Sequence, residues 1–410
     1  MSLLVSSPHC AKSTSQPQPF DLFCRSCSSV PCIYPTGSVH FHASRYSSLV
    51  VVLMSRKPRL LLVACLVLLI GAALPKGSRA EEPGGAAGLR FGFYNATCPA
   101  AEDVVFAEMH AILREDPTLA PSLLRMHYHD CFVQGCDGSI MLRSRSGTAE
   151  RDATPNRSMR GYGAIERIKA RLESVCPLTV SCADIIAMAA RDAVYLSKGP
   201  WYAVETGRRD GNETLAEYAE TDLAPPDSNI VDVKTFFSVK SLNSKDIAVL
   251  FGCHSIGTSH CEAFEKRLYN FSADTEQDPS LDAVYAAKLK KLCPRGALHA
   301  HGGWATKVPM DPGSGFTFGL SYYRHVVAGR GLFQSDGGLL HDPATKVYVD
   351  RMAAASSPDE YFEDFAAAMV KMGRTDVLLG CLGENFRLSK NAKQTGSNLC
   401  TFAEEIISFT

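Results

Sequence analysis

Leu124-Arg125-Met126-His127-Tyr128-His129-Asp130-Cys131-Phe132-Val133-Gln134-Gly135-Cys136-Asp137-Gly138-Ser139 decides how the rest of this chain is read. Arg125 and His129 are four apart, so a helix puts both on one face. An imidazole beside a fixed guanidinium suits one task. The base takes a proton while the cation stabilises charge on a departing oxygen. An Arg and a His at this spacing more often share a solvated face. The residues that follow argue against that. Cys131 and Cys136 are close enough to close a small disulfide loop. In and after the loop, Asp130, Asp137 and Ser139 offer hard oxygen ligands, and Val133 and Gly135 offer carbonyls. That set suits calcium, although it is not an EF-hand. A polar turn around a structural disulfide is the plainer alternative.

Downstream, Leu250-Phe251-Gly252-Cys253-His254-Ser255-Ile256-Gly257 forms a second cluster. A His in an apolar helical segment is usually a satisfied core residue. The other role open to His254 is axial ligand of a haem, which calls for a carboxylate on its second nitrogen. Asp336, in Gly331-Leu332-Phe333-Gln334-Ser335-Asp336, is a candidate. Around these clusters the pattern is helical. Apolar residues recur at helical spacing over 101–113, from Pro117 toward His129, and over 162–175, 182–196, 231–239, 256–268 and 361–372. Asp278-Pro279 and Ser357-Pro358 read as capped helix starts. Strand-like alternation is scarce, with Trp201 to Thr206 the best short candidate. The fold class is therefore all-α, with very little β structure, in one domain spanning 81–410.

The chain has 410 residues, a net charge of -1, 46% hydrophobic and 21% charged residues, which is the composition of a globular protein. Near-zero charge removes the electrostatic case for nucleic acid. Fifteen cysteines point to an oxidising compartment or to metal or redox use of thiols. Arg56, Lys57 and Arg59 precede an apolar run from Leu60 to Leu74, and Ala80 stands before Glu81. This is the layout of a secretory signal peptide over 54–80, and its 15-residue apolar run is shorter than the ~20 residues of a spanning helix. Met54 precedes the basic residues, so residues 1–53 read as a disordered upstream extension of the gene model. Cys24 and Cys27 in that stretch form a CxxC without a zinc-finger partner. A signal anchor that tethers the protein is the weaker alternative.

Taken together, the motifs resemble those of the plant secretory (class III) haem peroxidases over roughly residues 90–387. The resemblance rests on Phe93-Tyr94-Asn95-Ala96-Thr97-Cys98-Pro99, the Arg125–Ser139 block, Val180-Ser181-Cys182-Ala183-Asp184, Gly207-Arg208-Arg209-Asp210, the His254 block and the Asp336 block, in the family's order. It implies a two-lobed helical fold that holds haem b. His129 corresponds to the distal acid–base His, Arg125 to the distal Arg, and Asn156 to the Asn that sets the His tautomer. His254 corresponds to the iron ligand and Asp336 to the carboxylate behind it. Two calcium ions are implied. The distal one maps onto Asp130, Val133, Gly135, Asp137 and Ser139, with Glu150 nearby. The proximal one maps onto Ser255, Asp311, Ser314 and Thr317. Disulfides Cys98–Cys176, Cys131–Cys136 and Cys261–Cys293 follow by analogy, with Cys182 reaching Cys400, or else Cys381. The implied activity is reduction of hydrogen peroxide with one-electron oxidation of phenolic donors. A monomer is expected, extracellular in the cell wall or else vacuolar, without stable membrane association, that contributes to peroxide removal and the oxidative-stress response.

Five departures from the family pattern stand out. Tyr128 replaces a Phe and adds a hydroxyl near His129. Gly319 replaces the last proximal carboxylate, which weakens that ion site. Phe251 and Cys253 stand where small residues flank the iron ligand, and a bulky Phe251 is expected to shift its helix. Ala224 replaces the Pro of the substrate rim. The tail 388–410 reads as unrelated sequence. Asn95, Asn212 and Asn270 begin glycosylation sequons, and Asn156 is excluded by its role in the pocket. Two rival readings follow. One is a calcium-stapled structural protein of this fold with impaired catalysis. The other is a metal hydrolase using His127 and His129, for which the spacing is poor.

Overall fold

The computed structural model describes residues 88–295 and 306–380, all within a compact unit that starts at Glu81. The signal segment 54–80, the extension 1–53, the tail 388–410, Cys381 and Cys400 lie outside the described residues. Helices dominate. In chain order they are α1 (Ala101–Glu115), α2 (Leu119–Phe132), α3 (Tyr162–Val175), α4 (Cys182–Leu196), α5 (Ala216–Asp222), α6 (Ile230–Ser238) and α7 (Ser244–Phe251). They continue with α8 (Glu265–Leu268), α9 (Ala283–Leu292), α10 (Ser321–Val327), α11 (Gln334–Gly338), α12 (Pro343–Ala354) and α13 (Asp359–Met372). Two antiparallel ladders complete the fold. β1 (Arg90–Phe91) pairs with β2 (Glu205–Thr206), and β3 (Thr258–His260) pairs with β4 (Lys307–Pro309). No described helix is long and apolar enough to cross a membrane.

The core is built around α4, whose residues are buried without interruption from Cys182 to Val194. Its few charged residues are paired inside, Arg191 with Glu102 and Asp192 and Asp184 with Arg208, so the helix sits in the interior. The Ser181 hydroxyl caps it by accepting the Asp184 N–H at 3.2 Å. α2 packs closely on α4, and its Leu123, Leu124, Met126 and Phe132 are buried in the core. Asn243 caps α7 through the N–H groups of Lys245 and Asp246. α7 then delivers the 3-10 turn Gly252–Ser255 that carries His254.

Two segments differ from the sequence reading. Residues 256–268 are not one helix, because Gly257 takes φ +100°, which ends the helical run and opens β3. Asp278 does not start a helix: its carboxylate binds Arg267 at 2.7 Å and Ser280, and α9 begins instead at the Asp282 cap. Of the stretch Trp201 to Thr206, only Glu205 and Thr206 form strand. The disulfides Cys98–Cys176, Cys131–Cys136 and Cys261–Cys293 are present, with Cα–Cα separations of 5.7, 3.9 and 5.7 Å. Cys182 is disulfide-bonded as well.

Candidate active site

Arg125 and His129 project from one face of α2, one turn apart, with His129 buried and Arg125 part-buried. Asn156 arrives from the 3-10 turn Thr154–Asn156. Its side-chain N–H donates to the Glu150 carbonyl at 2.8 Å, which turns its oxygen toward His129. The His129 Nδ1–H donates to that Asn156 oxygen at 2.5 Å. The proton is therefore on Nδ1, and Nε2 keeps its lone pair. The Arg125 Nε–H donates to this Nε2 at 3.0 Å, while its terminal nitrogens donate to Ser158 Oγ at 3.0 Å and the Pro155 carbonyl at 2.6 Å. Burial, then the Arg125 charge, hold the His129 pKa well below the ordinary imidazole value, against the opposing Asn156 bond. His129 is thus a neutral base at neutral pH, with a cation fixed beside its free nitrogen.

Tyr128 turns its ring edge-on to His129 at 5.3 Å and packs on Phe132 at 4.4 Å and Phe237 at 6.3 Å. Burial pushes its phenol pKa up, so it stays protonated. The Ala224 backbone N–H bears on the Tyr128 hydroxyl, a donor that a proline at that position would lack. His127 does not join His129. It sits against Cys131 and lines a small cavity with Tyr202, Glu205 and Arg208, its pKa lowered by burial to about 3. No metal-hydrolase pair forms.

On the other side, His254 Nδ1 donates to Asp336 Oδ1 at 2.7 Å. The Tyr322 hydroxyl donates to the same oxygen at 2.9 Å, and the Phe333 N–H to Oδ2 at 2.8 Å. Burial raises the Asp336 pKa, but His254 and these donors outweigh it, so the carboxylate stays ionised. Phe251, Tyr322 and Phe333 surround the imidazole at ring separations of 5.5, 5.9 and 5.3 Å. Nε2 has no protein partner among the described residues. The bulk of Phe251 is absorbed between Phe237 and His254, and the bond to Asp336 is intact. Gly252 must be glycine, because a Cβ there would collide with the Tyr361 and Tyr323 hydroxyls. The half-buried Cys253 thiol is free, with its pKa pushed up to about 12 by desolvation, so it is protonated.

The two cation loops differ. In the distal loop, both Asp130 oxygens, Ser139 Oγ and both Glu150 oxygens are buried without a protein partner. Burial, then repulsion from Asp137 and Glu150, push the Asp130 pKa well above the usual carboxylate range. Orphaned oxygens on mutually repelling carboxylates are what a hard cation satisfies. Among the described residues no three His, Cys, Asp or Glu side chains already converge as a metal cluster. The fit therefore rests on these oxygens together with the Val133 and Gly135 carbonyls.

In the proximal loop most of the donors are already used. Ser314 Oγ donates to the Thr317 carbonyl at 3.1 Å, and the Gly319 N–H donates to Ser255 Oγ at 3.3 Å. Asp311 Oδ2 accepts from Ser321, and Asp311 Oδ1 faces His325 Nε2 at 3.3 Å. Gly319 adds no carboxylate. These residues do not fit a calcium ion.

A profile of the peroxidase family matches residues 105–355, more than half of the chain. The chain belongs to the peroxidase family. Peroxidase 1 of Oryza sativa subsp. japonica is 49% identical over 324 residues, which make up 78% of this chain and 95% of that one. Peroxidase 3 of Arabidopsis thaliana is 49% identical over 296 residues, 72% of this chain and 89% of that one. Peroxidase 5 of Vitis vinifera is 46% identical over 298 residues, again 72% and 89%. This peroxidase is an oxidoreductase of the plant class III family, as its motifs indicated.

Sequence reading missed two groups that shape the peroxidase's proximal side. Tyr322 reaches Asp336 from a helix with no motif of its own. Arg267 clamps the loop before Asp336, donating to the Phe333 carbonyl at 2.9 Å and to the Gly331 carbonyl, while Asp278 holds it at 2.7 Å. Neither contact leaves a periodic signal in the sequence. Ala224 lies at the Tyr128 hydroxyl.

Proposed function

We propose that this peroxidase binds haem b through His254 and reduces hydrogen peroxide, with His129 as acid–base group, Arg125 as electrostatic stabiliser and Asn156 as the group that sets the tautomer. His254 supports the assignment by offering an imidazole nitrogen that no described protein group takes up, with its other nitrogen on an ionised, buried carboxylate. When bound, haem supplies the iron at which peroxide accepts two electrons and from which single oxidising equivalents pass to donors.

The observation that carries the reading is the fixed tautomer of His129. Nε2 takes the proton of the inner peroxide oxygen and returns it to the outer one, which leaves as water. Because Arg125 Nε–H now bonds Nε2 at 3.0 Å, peroxide has to enter between the two side chains and exchange that bond for one to each. The guanidinium, held from behind by Ser158 and Pro155, then faces the charge on the departing oxygen. Donors are small phenolics, and the distal loop holds one calcium. The protein is secreted by the 54–80 signal, acts extracellularly and serves peroxide removal.

His129→Ala tests this reading. It should slow the reaction with peroxide ~10²–10⁴-fold and leave haem bound. Stopped-flow absorbance measures the rate. A parent rate in the variant refutes the role of His129.

A further inference from the structure

We propose that the proximal cation site of this peroxidase is closed by its own side chains, with His325 and Ser321 of α10 standing where an ion would bind, so that the folded protein carries calcium only in its distal loop. The proposal rests on the distal reading above for that single ion.

The contrast within one molecule carries it. Five distal side-chain oxygens are buried and unpartnered. At the proximal loop the only such atom is Asp311 Oδ1, and it is faced by the His325 imidazole at 3.3 Å, off the direction of an aligned hydrogen bond. The other Asp311 oxygen accepts the Ser321 hydroxyl. Ser321 and His325 are four apart on α10, so one helix face delivers both to one carboxylate. An imidazole N–H on the line of approach repels a cation as well as filling its place. Calcium takes 6–8 oxygen ligands. Here one carboxylate is already engaged, and the hydroxyls of Ser255 and Ser314 are committed to backbone groups.

Gly319 is the complementary half of the arrangement. A Cβ there would meet nothing within 4 Å, and its φ is not in the left-handed region. Neither space nor backbone demands glycine, so the missing carboxylate is a chemical difference. The closed loop is joined to the iron-ligand turn, because β3–β4 pairing leads into it, Gly257 exchanges backbone bonds with Met310 and Gly315, and Gly319 bonds Ser255, the neighbour of His254. His325 is thus a positioning residue for the His254 turn.

Native mass spectrometry of the holoenzyme, equilibrated with excess calcium, counts the ions. One ion is expected in wild type, none in Asp130→Asn, and two in a Gly319→Asp/His325→Val double variant. Two ions in wild type overturn the proposal without recourse to any variant. One ion surviving in Asp130→Asn also overturns it, by locating that ion proximally. No ion in wild type refutes the distal reading and leaves the proximal closure standing. Independently, His325→Ala in excess calcium should lower Tm by roughly 2–4 °C, the loss of about one polar contact in a domain of this size. The same variant should also shift the haem absorbance band, because the loop is bonded to the His254 turn; a haem band identical to wild type contradicts the positioning role.

Discussion

His129 acts as a base because three neighbours agree about its proton. Asn156 takes Nδ1–H, Glu150 fixes Asn156 by its backbone carbonyl, and Arg125 keeps the ring neutral by its charge. Removing the Asn156 acceptor removes a hydrogen bond to a group that becomes charged during the reaction, a loss of ~1.5–3 kcal/mol. Asn156→Val should therefore slow the peroxide step roughly 10–200-fold. It also has a pH signature. Protonated His129 cannot accept a proton, so the rate falls as pH drops through its depressed pKa, below the ordinary ~6.5. The Asn156 bond raises that pKa, so its loss should move the acid limb of the rate profile to lower pH. Peroxide rates measured across pH for both proteins check this, and a limb moving upward contradicts the geometry. Much of this site was legible in the sequence, because Arg125, His129 and the loop after them are local in the chain. Tyr322, Arg267 and His325 were not. They act across 14, 64 and 14 positions or more, through contacts that no spacing rule records.

Among the elements, α2 was readable because one of its faces is apolar and its other face carries the chemistry. The segment 256–268 was misread because apolar spacing cannot reveal that Gly257 takes a positive φ and hands the chain to β3. Element packing also couples the distal ion to the base. The Glu150 carboxylate lies among the orphaned oxygens, while its carbonyl holds Asn156. Emptying the distal loop leaves buried carboxylates that repel one another, so the turn Glu150–Asp152 should move and take Asn156 with it. Chelation should therefore slow the peroxide step by up to the factor seen for Asn156→Val, without changing ligation by His254. Stopped-flow rates and the haem band, followed together through a chelator titration, test this. A change in axial ligation before any loss of rate would contradict it.

For the molecule as a whole, the all-α reading holds because buried α4 and the amphipathic helices around it leave the ladders only two or three residues each. Routing of the chain is a further expectation. Expression from Met54 in a secretory host should give an exported protein beginning near Glu81, as N-terminal sequencing reads; a start upstream of Met54 contradicts the signal. The central claim is that His129 and His254 serve the two faces of one haem. The most direct test is the absorbance spectrum of the purified holoenzyme before and after one equivalent of hydrogen peroxide. The account predicts a haem band that shifts rapidly on addition and returns when two equivalents of a phenolic donor follow. A protein that binds no haem, or a band that peroxide leaves unchanged, would contradict it.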